Sequence, residues 1–172
     1  MFCLGCFVFS TSSRILGPLR RSTLVSSFLV QALIVLVTAA VIHAGVVEGN
    51  LDAIPDDIDW KQLLPIALLS FQSAGQIVKS RTLGLAEIPT VVLTSMLHDI
   101  AVDQAVLSSL TKNVKRNRRI LAFFSILSGA IAGGFIAEGT GKMQIPLWIA
   151  GGMKLCISGA WAVWPGKKVN VV

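Results

Sequence analysis

Residues 23–44 read TLVSSFLVQALIVLVTAAVIHA, a run with no formal charge. At 1.5 Å per residue, a helix of that length covers the roughly 30 Å of hydrocarbon in a bilayer. A helix that is apolar on every side must be covered by protein or by lipid. The rest of the chain favours lipid. Of 172 residues, 53% are hydrophobic and only 14% charged, and the mean hydropathy is +0.74. A soluble domain carries about a quarter charged residues. Here the apolar residues fall in long uncharged blocks separated by charged punctuation, which is the layout of bilayer-spanning helices.

Working outward, an acidic connection follows the first block, with Glu48, Asp52, Asp56, Asp57 and Asp59, and Trp60 then stands where an interfacial aromatic belongs. Gln62 to Val78 is a second span, with Pro65 near its start and Gly75 near its end. Ile120 to Ala137 is a third, and Ile145 to Trp164 a fourth, closing on Trp161 and Trp164 before Pro165, Lys167 and Lys168. Met1 to Ser13 is also apolar but is only about two-thirds of the roughly 20 residues a span needs. The chain is therefore expected to start part-way through a longer protein's helix. Leu83 to Leu110 is ambiguous. Its uncharged part, Ile88 to Leu97, is about half a membrane thick, and His98, Asp99, Asp103 and Gln104 follow.

Charge settles how that segment is read. With Arg14, Arg20 and Arg21 on the cytoplasmic side, the acidic connection lies outside and Lys79 and Arg81 inside. If residues 88–110 crossed, the most basic connection, Lys112, Lys115, Arg116, Arg118 and Arg119, would fall outside. If they enter and return, every charge bias agrees, and Pro89 with Thr90, Thr94 and Ser95 suits a broken, re-entrant helix. The expected fold is all-α: a polytopic transmembrane helix bundle of four full spans, a truncated N-terminal helix and one re-entrant or non-spanning helix. It forms a single membrane domain over 1–172. Residues 1–44 end a first repeat half, 45–59 are an external acidic connection, and 60–168 form the second half. The repeat is hinted at by Gly5 and Gly17, which recur as Gly129 and Gly141 in two apolar hairpins of opposite direction, as in transporters with inverted repeats.

The formal charge of +6 does not point to nucleic acid, because the Lys and Arg residues sit in short connections and form no single stripe. The basic run from Lys112 to Arg119 is expected to anchor the chain to anionic lipid headgroups. Cys3, Cys6 and Cys156 lie in apolar segments. Cys3 and Cys6 form a C-x-x-C without the βαβ setting a redox motif needs, so all three are expected to be packing thiols. No metal, nucleotide or nucleophile motif has the right spacing, so neither enzyme chemistry nor a cofactor is expected. Ser125, Gly129 and Gly133 form a small-xxx-small stripe, which suits close packing of two helices in one bundle or, alternatively, a homo-oligomer contact.

Ser70-Phe71-Gln72-Ser73-Ala74, then Lys79 and Arg81, then Ile88-Pro89-Thr90-Val91-Val92-Leu93-Thr94-Ser95-Met96-Leu97 resembles the second-half signature of the YoaK-like membrane proteins, a family of unknown function. The family pattern is similar to G-x-Q-N-A, a basic pair, then P-T-T-x-x-T-G-x-L. The chain keeps Gln72, Ala74, Pro89, Thr90, Thr94 and Leu97. Ser70, Ser73 and Ser95 depart from it, in ways that resemble fungal members. The resemblance runs from Leu4-Gly5 to the final Trp pair. It implies a related earlier half upstream, and a suspicion of transport without a substrate.

Lys154 is the residue most suggestive of function. It lies about ten residues, or roughly 15 Å, from either end of its span, too deep to reach an interface comfortably. A charge at mid-bilayer costs at least about 2.5 kcal/mol and normally faces the bundle interior. It is read as an anion or coupling site with Gln72, Thr90, Thr94 and Ser95 as polar neighbours; the alternative is a structural ion pair or a shifted span. For Gln72 and the hydroxyls the alternative is interhelical hydrogen bonding. His98 and Asp99, adjacent on a helix, point about 100° apart and make a poor relay. Function is thus expected to be small-solute transport, with a membrane scaffold, a partner subunit or a truncated non-functional fragment as alternatives.

Overall fold

A computed structural model describes residues 1–47, 49, 60–85, 93–103 and 112–164. The acidic residues of 48–59, Pro89 and Thr90, Gln104, and the Pro165, Lys167 and Lys168 tail lie outside the described residues. The elements are α1 (Phe2–Leu16), α2 (Arg21–His43), one 3-10 turn (Trp60–Gln62), α3 (Leu63–Thr82), α4 (Leu93–Ala101), α5 (Val114–Thr140) and α6 (Gln144–Val163).

The helix ends follow local chemistry. Pro65 and Pro146 each stand third in their helices, where a missing N–H leaves no hydrogen bond unmade, so neither interrupts its helix. At the ends of α2 and α3, Gly45 and Gly84 turn the chain with φ +72. There Val46 N bonds Val41 O and Leu85 N bonds Ser80 O, the wrap that occupies otherwise orphaned carbonyls. Asn113 caps α5 through its side-chain oxygen, which accepts from the Arg116 N–H at 3.0 Å. That cap places the helix start inside the basic run, just after Lys112 and six residues ahead of the expected Ile120.

Packing fixes direction. Gly5 lies against Phe71 and Ala74, the Phe9 and Phe71 rings are 5.5 Å apart, and Lys79 donates to Ser13. Both numbers rise together, so α1 and α3 run parallel. Between α2 and α6 one number falls as the other rises. Arg21 donates to the carbonyls of Trp161 and Ala162, Ser158 to that of Val25 at 3.1 Å, Lys154 meets Gln31, and Gly151 abuts Leu36. These two helices are antiparallel and share the most extensive packing in the molecule. A tight turn at Gly141–Met143 returns α5 into α6. One end of the bundle therefore gathers the C-termini of α1, α3 and α6 with the N-termini of α2 and α5.

Three helices, α2, α5 and α6, are long and apolar enough to cross a membrane. Helix α3, expected as a fourth span, has the length but not the hydropathy, because Gln72, Gln76 and Lys79 fall within it. Leu121, Phe124, Ile131 and Phe135 of α5 are exposed. Water does not tolerate so large a contiguous apolar surface, whereas lipid does. The protein is a membrane protein. The α5 stripe brings a correction: nothing lies within 4 Å of a Cβ built at Gly129 or Gly133, so it packs against no helix among the described residues. The close approaches are made by Gly5, Gly75 and Gly151 instead.

Candidate functional site

Helix α2 carries one amide side chain within its apolar run, Gln31, and it is fully buried. A buried amide must find partners or forfeit a few kcal/mol of hydration. Gln31 Oε1 accepts from Lys154 Nζ at 3.1 Å, and its Nε2 donates to Ser27 Oγ at 3.3 Å. On its other side, Gly75 of α3 comes so close that a Cβ there would stand 2.9 Å from Gln31 Nε2 and from the Phe9 ring. Glycine is what lets α1, α2 and α3 meet at this level. Ser27, Gln31 and Lys154 thus form a polar thread running from the middle of α6 into the three-helix junction.

What the thread lacks is a carboxylate. Helices α1, α2, α3 and α6 contain no Asp or Glu. Among the described residues, Lys154 has Gln31 as its hydrogen-bond partner and Lys79, 2% exposed, has Ser13. A neutral oxygen meets an ammonium's hydrogen-bonding need but not its charge, so the interior formed by these helices is electropositive.

Of the residues singled out from sequence, Lys154 faces the bundle interior. Gln72 lies on α3, which makes no direct packing contact with α6, and its Oε1 is buried without a partner among the described residues. Thr94 and Ser95 are exposed on α4, which packs only on α5 among the described elements. The structure does not bring them to Lys154, and Thr90 lies outside the described residues. In the basic run, Lys112, Lys115 and Arg118 are exposed, while Arg116 is buried and donates to Asn117 Oδ1 at 2.9 Å. Arg119 pairs with Asp99 at 3.3 Å, which gives Asp99 a partner other than His98. Cys3 and Cys156 are exposed on the apolar surface and Cys6 half-buried, all three as free thiols.

Two functional candidates escaped the sequence reading. Gln31 had a visible signal, as the lone amide between Phe28 and Val37. Lys79 had none, because as the last charge of a span it reads as an interface marker, and Ser13 is on another helix. Two cavities flank the thread: one of about 700 Å³ at the end opposite the basic one, with Lys61, Lys142 and Gln144 in its wall, and a cleft of about 310 Å³ between α1 and α2.

No curated protein and no solved structure matches the chain. A family model does match, over residues 1–160, covering every helix from α1 through most of α6. The chain belongs to the family described as protein of unknown function DUF1275.

Proposed function

We propose that the chain is a multi-pass membrane protein that carries a small anionic solute, with Lys154 as the charge that meets it. The observation that carries this reading is a lysine midway along an apolar helix, hydrogen-bonded to Gln31, among helices that contain no Asp or Glu. Intramembrane ionisable residues are retained mainly where they act on ions or protons, because they cost stability. The cavity opposite the basic end has Lys61 and Lys142 in its wall, two cations for an anion to meet on that side.

The topology that goes with this function puts the basic end in the cytoplasm. Arg14, Arg20, Arg21, Lys79, Arg81 and the run Lys112–Arg119 all stand at that end. In this topology α3 is a full span like α2, α5 and α6, α1 is the truncated one, and the segment 88–110 enters and returns. An inverted repeat is supported by the two hairpins: α1 turns into α2 over Gly17 (φ +91) at the basic end, and α5 into α6 over Gly141 (φ +65) at the other. Within the family, Ser70, Ser73 and Ser95 support reading the chain as a fungal-type, YoaK-like member.

Flux into proteoliposomes tests this reading, using labelled phosphate, sulfate and small carboxylates. Uptake by the wild-type chain that falls at least about tenfold in Lys154→Met is the expected result, since a charge-assisted contact to substrate is worth about 1.5–3 kcal/mol. Equal uptake by the variant removes Lys154 from the mechanism. No uptake of any solute favours the second reading, a scaffold or partner subunit, for which the unpacked Gly129 and Gly133 face on α5 speaks.

A further inference from the structure

The cleft between α1 and α2 has chemistry the transport reading does not use. Its basic end is formed by Ser12, Leu16, Ser27 and Lys79, and its deeper end by Val8 and Val30. Lys79 donates to Ser13, which leaves two of its three N–H groups for other partners. Ser27 Oγ accepts from Gln31, so its own O–H remains available as a donor. Ser12, exposed, makes no hydrogen bond among the described residues. All three helices around the cleft lack Asp and Glu, so its donors converge with no carboxylate among the described residues to receive them.

The mouth of the cleft indicates the phase from which an occupant comes. Val8 is 39% exposed, Leu16 50% and Val30 43%, so the opening is rimmed by apolar side chains on the outer surface of the bundle. Such a rim meets lipid, not water. Depth fits as well. Ser13 lies three residues from the end of α1, and Lys79 three from the end of α3, about one helical turn in from the basic end. That is the level of a headgroup phosphate, and Arg14 and Arg20 stand exposed just beyond it. Towards Val8 and Val30 the cleft turns apolar, as an acyl chain descending into the bilayer requires.

We propose that this cleft binds one anionic phospholipid, its phosphate against Lys79, Ser12 and Ser27 and its acyl chain leaving past Val8 and Val30. The lipid supplies the negative charge that α1, α2 and α3 lack. It also holds together two helices that otherwise contact each other little. The inference is independent of the transport reading, since Lys154 is not in the cleft.

Native mass spectrometry of the full chain in mild detergent, titrated with phosphatidylglycerol, tests it. One lipid per chain retained by the wild type, with affinity at least about tenfold weaker in Lys79→Met and restored in Lys79→Arg, is the expected result. Ser12→Phe blocks the mouth from an exposed position, and the same loss is expected there with the helical circular dichroism intact. That variant decides the matter if Lys79→Met does not fold. Lys115→Ala, on the exposed start of α5, should keep the tight lipid. Unchanged retention in Ser12→Phe overturns the proposal. So does displacement of the lipid by millimolar inorganic phosphate with equal protection against heat, which would make the ligand a water-phase anion.

Discussion

Helix α6 has two antiparallel partners, α2 and α5, and the two contacts are built differently. Against α2 it sets Gly151 on Leu36, Lys154 on Gln31 and Ser158 on the Val25 carbonyl, and Arg21 reaches back to its last carbonyls. Against α5 it has the short turn at Gly141–Met143 and sparse packing, and the α5 glycines 129, 133 and 134 face open space. In lipid, apolar area alone does not hold two helices together, because the tails are as apolar as the side chains. Close backbone approach and interhelical hydrogen bonds do. The α2–α6 pair has both and, among the described residues, the α5–α6 pair shows neither, so the glycine face of α5 is the surface most available to a further partner.

Leucine at matched glycines should produce the largest difference. A Cβ at Gly151 would stand 2.5 Å from Leu36 Cδ2 and 2.8 Å from its Cγ, so Gly151→Leu must push α2 and α6 apart. Overpacking of that kind costs about 3 kcal/mol, which in a chain of this size lowers the melting temperature by about 6–12 °C. Gly133→Leu, meeting nothing, should stay within about 0.5 kcal/mol and 2 °C. Thermal scans of both variants in mild detergent measure the contrast. Equal losses would mean that α5 is packed in the monomer after all.

The polar link gives the next largest effect. Gln31→Leu leaves Lys154 without its partner among the described residues, at a cost of about 2 kcal/mol. Lys154→Met removes the buried charge but leaves Gln31 Oε1 without that donor, so the two effects offset and the cost should stay at about 1 kcal/mol. The double variant should then be no worse than Gln31→Leu, with a coupling of about 1 kcal/mol or more in the cycle. Strict additivity would show that the 3.1 Å contact is geometry without energy. Ser158→Ala should cost less, about 0.6 kcal/mol, since the Val25 carbonyl keeps its place in the helix ladder.

These contrasts separate what the sequence discloses from what it withholds. Hydropathy and charge locate the helices: 23–44 became Arg21–His43, and Ile145–Trp164 became Gln144–Val163. Spans are legible because the bilayer acts on every residue of a run in the same way. Neighbours are not, because contact depends on rotation about each helix axis, which a uniformly apolar helix does not encode. Ser125, Gly129 and Gly133 had the better pattern, yet Gly5, Gly75 and Gly151 make the contacts. Lys154 was legible as an anomaly in its own helix. Its partner Gln31, and the pairing of Lys79 with Ser13, depended on which helices adjoin.

The smallest expected effect lies where α5 is tied to α4. Arg119 and Asp99 are 3.3 Å apart, with side chains 20% and 43% exposed, so solvent and salt screen the pair. Asp99→Asn should cost about 0.5 kcal/mol in low salt, a melting shift of about 1–2 °C, and nearly nothing at 1 M salt, where the screening length is about 3 Å. Asn113, which donates to Asp103 at 2.9 Å, keeps α4 on α5 in that variant, so the helix start should survive the change. A shift that persists at 1 M salt would mean that the pair is shielded from water. The basic start of α5 would then be a fixed part of the fold, as tightly held as the α2–α6 contact, instead of a charged flank resting on the bilayer surface.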